Sequence, residues 1–378
     1  MSQEYKNNIE YLIQTLGKVV SIQAEKKIKY STNENGLLSG VMGDLVFLGQ
    51  YLNIYMAPDI YRTFEYLIGK YCSIITTCAI PLNYCDGIAG IIKGFEILNK
   101  LNIASVDTNS LIDLSKIYAR NYLCNNIKRN NIDFLYGSIG IAYGFWHDDE
   151  IPQLTISQIE KNLNLSCVFE RNYKFGCPYG SAHGVASVLS LLLNALHYFD
   201  NKEVVIQLLK EIAYETIEHV IDVDIYNSYF PITIEGFKSK SDLGWCKGDL
   251  SLSIALLRTS LILNLYDIKK LSKDILIHCA ERVLNNNEGL DNLSLCHGAA
   301  GIGLLFNRAF ELTGNELFRC AENKCLNKCL DSLNASLPQD LLNGSSIIKL
   351  DLLEGLSGIG LYLLHQLNKN DLHNILLI

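Results

Sequence analysis

A pair of small residues spaced three apart, Gly-x-x-Gly or Gly-x-x-Ser, recurs seven times along this chain of 378 residues, and each copy opens an apolar stretch. The first glycines of the copies are Gly40, Gly87, Gly137, Gly184, Gly248, Gly298 and Gly355. Successive copies lie 47, 50, 47, 64, 50 and 57 residues apart. Self-similarity at such a period is typical of folds that repeat one supersecondary unit. We therefore expect a single repeated unit throughout the chain.

Each repeat is interpreted as a hairpin of two helices. The stretch after each element, such as 252–257, is too apolar on all sides for a surface helix and predicts an inner helix. In a mixed segment between two elements, Val205, Leu208 and Ile212 follow helical spacing, which indicates a half-exposed outer helix. Such hairpins could stack as an open solenoid or close as a ring, and glycine pairs at the first turn of every inner helix favour the crowding of a ring. We expect an all-α fold, an α/α toroid (double-layered helical barrel) of seven helical hairpins.

The longest interval between copies contains a strand-like stretch. Residues 225–234 are rich in β-branched and aromatic residues and include Pro231, which suits a sheet edge. We expect a short β-like hairpin or an ordered loop there. No Gly/Ser/Pro-rich linker divides the chain, so residues 1–378 are predicted to form a single domain.

Composition and charge narrow the function. A net charge of −8 disfavours nonspecific nucleic-acid binding, which needs a basic surface, and leaves a peptide as the easier partner. No apolar run reaches the length of about 18 residues that spans a membrane, and the first residues lack the pattern of a secretory signal. We therefore expect a cytoplasmic protein, whose twelve cysteines are thiols or metal ligands rather than disulfides.

Polar side chains occupy the position immediately before the first glycine in all seven repeats. We call them the crown residues: Ser39, Asp86, Tyr136, His183, Lys247, His297 and Glu354. In a closed ring they would surround one end of the central cavity, beside inner-helix N-termini that favour anions. One position earlier, three of the seven residues are cysteines, namely Cys85, Cys246 and Cys296.

These cysteines include one pair that is close enough to share a metal. Cys246 and Cys296, with His297, come from neighbouring repeats, whereas Cys85 lies too far round a ring whose helices pack about 8 to 10 Å apart. Two thiolates and one imidazole, with a fourth position left for water or substrate, form a recognised catalytic zinc arrangement. An isolated Cys-His pair is more often a buried thiol beside a hydrogen-bonded imidazole, but the shared layer favours one Zn²⁺ per chain.

At these residues the sequence resembles the lanthionine synthetase C-like family, the lanthipeptide cyclases. The matching motifs are Gly-Ser-Ala-His-Gly at 180–184, Trp-Cys-Lys-Gly at 245–248 and Leu-Cys-His-Gly-Ala-Ala-Gly at 295–301. Together with the glycine repeats they cover almost the entire chain. The resemblance implies an α/α toroid that adds cysteine thiols of a precursor peptide across dehydroalanine or dehydrobutyrine, closing (methyl)lanthionine thioether rings.

The resemblance also implies roles for individual residues. It places one zinc on Cys246, Cys296 and His297, and it implies acid/base roles for His183 and Asp133. The alternative for Asp133 is a helix-capping role, because repeat seven carries another aspartate, Asp351, at the same offset. Further candidates for contacts to the substrate or the transition state are Trp245, Lys247, Tyr136 and Asp86.

Two charged positions depart from the family pattern. Lys247 stands where tyrosine is common, and Asp242 stands where arginine is usual, with Lys240 nearby as a possible compensation. Lys247 could stabilise negative charge near the zinc layer, or it could simply pair with Asp242. These departures bear on substrate recognition more than on zinc binding.

Seven hairpins leave no room for a dehydratase or kinase-like domain, which predicts a stand-alone cyclase. The implied partners are a dehydrated, leader-bearing precursor peptide, a separate dehydratase and a membrane exporter, which would bring the protein to the inner face of the membrane. One alternative is a LanC-like enzyme that adds glutathione to dehydro-residues of damaged proteins. The other is a zinc-stabilised peptide-binding module without turnover.

Overall fold

The computed structural model of the protein describes residues 2–30, 34–126, 131–148, 150–161, 178–199, 202–233, 238–336, 349–368 and 370–378. These ranges contain sixteen helices and no strand, which confirms the all-α prediction. The inner helices are α2 (Val41–Ile54), α4 (Ile88–Lys100), α6 (Ser138–Gly144), α8 (Val185–Tyr198), α11 (Asp249–Leu263), α13 (Ala299–Thr313) and α15 (Leu356–Asn368). The outer helices are α1 (Gln3–Tyr30), α3 (Pro58–Ile75), α5 (Asn109–Asn126), α7 (Ile151–Lys161), α9 (Lys202–Ile217), α12 (Tyr266–Asn286) and α14 (Glu316–Ser336). Two short helices are α10 (Val223–Tyr226) and α16 (Leu372–Ile375).

Every inner helix begins at the residue after the first glycine of its repeat. Helix α8 is buried at each position from 185 to 193, as its all-round apolar sequence predicts. On the outer helix α9 burial is restricted to one face, which includes Val205, Leu208 and Ile212. The all-round apolar pattern and the one-faced apolar pattern therefore distinguish inner from outer helices correctly.

A belt of backbone hydrogen bonds closes the ring just below the crown. Each loop that precedes an inner helix donates an N–H to a carbonyl of the next loop, with N···O distances of 3.0 to 3.3 Å. In ring order, with the donor of each pair first, the hydrogen bonds are Leu38 to Cys85, Cys85 to Leu135, Leu135 to Ala182, Ser181 to Trp245, Cys246 to Cys296, Cys296 to Leu353, and Leu353 to Leu38. Helix α1 also packs against α14 and α15. The seven hairpins thus form a toroid rather than an open solenoid.

Two glycines show how closely the loops of this belt approach the inner helices. A Cβ atom on Gly140 would lie 1.9 Å from the carbonyl oxygen of Phe134 in the preceding loop, far inside van der Waals contact. Gly248 has a φ of +107°, in the left-handed region, and its Cβ would lie 1.8 Å from the carbonyl oxygen of Asp242. The loop that carries Cys246 can therefore turn into α11 only with glycine at this position.

The stretch predicted as β-like, 225–234, forms no strand in its described part, and Ile234 lies outside the described residues. Its start belongs to the short helix α10, and its remainder contributes one isolated antiparallel bridge between Pro178 and Thr233. The prediction of a β-like hairpin was wrong, whereas the alternative of an ordered loop agrees with the structure.

A buried carboxylate explains why this segment needs no partner strand. Asp249, at the start of α11, accepts hydrogen bonds from the backbone N–H groups of Tyr229 and Phe230 at 2.8 and 3.1 Å. It also accepts one from the Ser241 hydroxyl at 2.8 Å, and the Arg282 guanidinium lies 3.6 Å away. The backbone donors are thus satisfied by a side chain, and the insertion is fastened beside the Cys246 loop.

The segment 370–378 enters the centre of the ring from the end opposite the crown. The hydroxyl of Tyr84 donates a hydrogen bond to the Ile375 carbonyl, at 3.0 Å, and the indole N–H of Trp245 donates one to the Leu376 carbonyl, at 2.9 Å. Leu376 and Ile375 are buried. The space beneath the crown is therefore filled. None of the described helices is both long and apolar enough to cross a membrane.

Candidate metal centre and crown

Three ligand-type side chains converge where repeats five and six meet. One ligand atom from each of Cys246, Cys296 and His297 lies within 4.8 Å of the others, the one such group within the described part of the chain. The N–H of Cys246 donates to the carbonyl of Cys296 at 3.2 Å, so the closing belt itself brings the two thiols together. Cys246 is buried, Cys296 is half-buried and the His297 side chain is 47% exposed. The cluster therefore opens toward the crown.

The two thiols hydrogen-bond to each other, and this contact sets their acidity. It lowers the pKa of Cys246 well below the ordinary thiol range, against the opposing effect of burial and with further help from His297. The same bond raises the pKa of Cys296. The hydrogen bond to Cys246 also raises the pKa of His297. Thiols that compete in this way for a proton are a donor set that a cation such as zinc would hold fully deprotonated, so these residues fit the predicted metal.

A crown carboxylate supports this cluster, and sequence reasoning did not assign it a role. Oε1 of Glu354 lies 3.5 Å from Nδ1 of His297, and both side chains are partly exposed. A metal-bound imidazole usually directs its other ring nitrogen toward such a carboxylate. The sequence held one indication of this role, since Glu354 is the crown residue of the repeat that follows that of His297.

On the neighbouring side of the crown, His183 is held by Asp133. Nδ1 of His183 lies 2.5 Å from Oδ2 of Asp133, whose side chain is 5% exposed. The second oxygen of Asp133 accepts the backbone N–H of Tyr136 at 2.7 Å. Asp351 accepts the equivalent N–H, from Glu354, at 2.6 Å. A hydrogen bond that stabilises the turn before the inner helix is therefore common to both aspartates, and the contact to His183 is an additional feature of Asp133.

Two further crown residues surround this pair. The ring of Tyr136 stacks on that of His183, with centroids 6.2 Å apart and planes 19° from parallel, and 47% of Tyr136 is exposed. Its hydroxyl hydrogen-bonds to the thiol of Cys85. Asp86 accepts a hydrogen bond from Ser39, the crown residue of the preceding repeat. Tyr136 thus lies beside His183 in the crown, whereas Asp86 is hydrogen-bonded to Ser39.

The structure places Trp245 away from the crown. Its side chain has no exposed surface, packs edge-on against Phe134 at 6.1 Å, and binds the Leu376 carbonyl. Trp245 was a candidate for a contact to the substrate or the transition state, but its side chain is turned into the core. It therefore supports the loop of Cys246 from below.

Lys247 lies on the exposed side of the same loop. It lines a cavity of about 420 Å³ together with Cys246, His297 and Asp242. Within the described chain Lys247 forms no ion pair, so the predicted alternative of pairing with Asp242 does not occur here. Lys240 is bound to Glu288 instead, which leaves it no free charge to compensate for Asp242.

A closed ring of seven helical hairpins that carries a two-cysteine, one-histidine cluster at the inner-helix N-termini defines a class of helical toroids. The sequence model of the lanthionine synthetase C-like protein family matches residues 31–377, and the chain belongs to this family. Among solved structures it is similar to nisin cyclase, with a TM-score of 0.71 and 18% sequence identity, over 100% of this chain and 98% of that chain.

Proposed function

We propose that the protein is a zinc-dependent lanthipeptide cyclase. It would add cysteine thiols of a dehydrated precursor peptide to dehydroalanine or dehydrobutyrine and so form thioether rings. The observation that carries this proposal is that the Cys246, Cys296 and His297 cluster shares one crown with the Asp133–His183 pair, in consecutive repeats. Membership in the family supports it.

Zn²⁺ bound by Cys246, Cys296 and His297 would supply Lewis-acid chemistry that keeps a substrate thiol as thiolate near neutral pH. Three protein donors are typical of catalytic zinc centres, which keep one position open for a substrate. Glu354 holds His297 in orientation from the adjacent repeat.

His183 is proposed as the proton donor. When the thiolate sulfur bonds to the β-carbon of a dehydro-residue, the carbon–carbon π bond breaks and the electron pair moves to the α-carbon as an enolate. That carbon then takes up one proton. Because Asp133 holds Nδ1 of His183, we assign delivery of the proton to Nε2. Lys247 and Tyr136, two exposed crown residues, are proposed to contact the developing enolate or the peptide.

The remaining assignments concern the cellular setting. The reaction requires a substrate that has already been dehydrated, so we propose that a separate dehydratase prepares a leader-bearing precursor. We further propose that the protein acts in the cytoplasm, at the inner face of the membrane, beside an exporter.

Reconstitution tests the function directly. The zinc-loaded protein is incubated with a dehydrated precursor peptide, free thiols are alkylated, and the products are analysed by mass spectrometry. We expect loss of alkylation without a change in peptide mass, since ring closure is an isomerisation. A parallel reaction with glutathione and a dehydroalanine peptide distinguishes the alternative, because an adduct there with no ring closure would replace cyclisation as the activity. If the zinc-loaded protein forms neither a ring nor a glutathione adduct, this result would favour a peptide-binding module without turnover.

A further inference from the structure

Two residues of the preceding repeat border the imidazole of His183. Nδ1 of His183 lies 2.5 Å from Oδ2 of Asp133, and the ring of Tyr136 stacks on the imidazole with planes 19° from parallel. Both neighbours belong to the loop before α6, and the side chain of His183 is 23% exposed. The imidazole is therefore held at its edge by a carboxylate and covered on one face by an aromatic ring.

A single hydrogen bond does not fix the plane of an imidazole. The N–H can keep pointing at the oxygen of Asp133 while the ring tilts and Nε2 moves. A parallel aromatic ring against one face restricts this tilt, and offset stacking is itself an attractive arrangement. Tyr136 therefore supplies a second constraint on the orientation of His183.

Tyr136 is itself held at two points, although 47% of the residue is exposed. Its backbone N–H donates to Oδ1 of Asp133 at 2.7 Å, so the two oxygens of one carboxylate bind both Tyr136 and His183. At the far end of the ring, its hydroxyl donates to the thiol of Cys85 in repeat two. The ring of Tyr136 cannot turn away from His183 without losing this hydrogen bond.

The thiol that accepts this hydrogen bond is anchored in turn. Cys85 is 1% exposed, and its S–H donates to the carboxylate of Asp86. Asp86 also accepts the hydroxyl of Ser39, and its backbone N–H donates to Oδ1 of Asn83 at 2.7 Å. The crown residues of repeats one to four are therefore linked by one continuous set of contacts.

We propose that Tyr136 is a positioning residue for His183 and that Cys85 and Asp86 hold it in place. This inference rests on the proposed function, in which Nε2 of His183 delivers a proton to the α-carbon of the enolate. Such a transfer needs hydrogen-bond distance between donor and acceptor, and a misplacement of about 1 Å can cost roughly 10²-fold in rate. The contact to the peptide proposed above concerns the exposed side of the Tyr136 ring, whereas positioning concerns the side that faces His183.

Single-turnover ring closure on a saturating dehydrated precursor tests this role. Tyr136→Leu should slow closure about tenfold or more, whereas Tyr136→Phe keeps a ring against His183 and should retain most of the rate. In a His183→Asn background, Tyr136→Leu should cause no further loss, because no imidazole remains to be positioned. Tyr118→Leu, which removes an exposed tyrosine on α5, is the matched control and should close rings like the wild type. If Tyr136→Leu slows closure equally with and without His183, the proposal is overturned.

Proton NMR tests the same geometry without turnover. The proton between Nδ1 of His183 and Asp133 should give a low-field resonance, identified by its absence in His183→Asn. We expect Tyr136→Phe and Tyr118→Leu to keep this resonance, and Tyr136→Leu to broaden or lose it while zinc content and circular dichroism stay unchanged. Tyr136→Met, a second variant without an aromatic ring, should behave in the same way and guards against a misfolded leucine variant.

The NMR result also separates this proposal from the proposed function. A wild type without the resonance, or an unaltered resonance in both ring-free variants, would overturn the positioning role even if the protein closes rings. The expected changes in a protein that closes no rings would support the positioning of His183 and contradict the cyclase function alone.

Discussion

Nδ1 of His183 lies 2.5 Å from Oδ2 of Asp133, while Oδ1 of the same carboxylate accepts the backbone N–H of Tyr136 at 2.7 Å. One side chain therefore shapes the loop before α6 and orients the imidazole of the next repeat. Asp133 therefore combines a turn hydrogen bond with a contact to the imidazole of His183.

His183→Asn is expected to keep zinc and fold while slowing ring closure by about 10² to 10⁴, the usual contribution of a general acid. Asp133→Asn should cause a smaller loss, because the amide oxygen can still accept the backbone N–H of Tyr136 but no longer carries a charge beside His183. Added to His183→Asn, it should cause no further loss. Mass spectrometry of single-turnover ring closure measures these rates. If His183→Asn with intact zinc closes rings at the wild-type rate, His183 has no part in the mechanism.

The double variant Cys246→Ala, Cys296→Ala is expected to lose zinc, because two of the three protein donors disappear. Elemental analysis of purified protein measures the metal content, and circular dichroism checks the fold. Cys320→Ala, which removes an exposed thiol on α14, is the control and should retain one zinc per chain. Full zinc content in the folded double variant would show that the metal lies elsewhere.

Lys247→Met should slow single-turnover closure on a saturating dehydrated precursor by more than tenfold, equivalent to about 1.4 kcal/mol, if its charge stabilises the enolate. Lys240→Met is the matched control, since that ammonium is bound to Glu288, and it should leave the rate nearly unchanged. An unaltered rate for Lys247→Met, with zinc content verified, would make this residue a recognition or surface group.

The buried carboxyl of Asp44 predicts a pH-dependent stability. Burial raises its pKa from 3.8 to about 6, although Lys27 and a hydrogen bond from Ser357 act in the opposite direction. Because the folded value exceeds the unfolded one, the stabilising contribution is fully present below about pH 4 and is lost as the pH rises through about 6.

Asp44→Asn removes this titration while keeping an acceptor for Ser357. The free energy of unfolding of the wild type, relative to this variant, should therefore fall by about 1 to 3 kcal/mol between pH 4 and pH 7. Urea unfolding of both proteins across this range measures the difference. A difference that stays constant, or that grows with pH, would contradict the burial argument.

The glycine repeat predicted where the inner helices begin, because a small residue recurs at the first turn of each one; at Gly140 and four of its counterparts this residue is a glycine that lies against a loop carbonyl. The same alignment predicted which layer holds Cys246 and Cys296. Position relative to a repeated steric constraint is a local property, and it can be read from one sequence. Proximity of the two thiols then followed from the order of the repeats.

The orientation of single side chains was decided by the tertiary structure. Trp245 neighbours Cys246 in sequence but turns into the core, because the Leu376 carbonyl offers its indole a partner more than one hundred residues away. The insertion that resembled a strand is bound instead by the Asp249 carboxylate. The sequence by itself thus determined the repeat, the ring layers and the residue types of the candidate metal cluster. Only the folded chain decided which polar groups pair, since each pairing depends on partners that distant segments bring within hydrogen-bond distance.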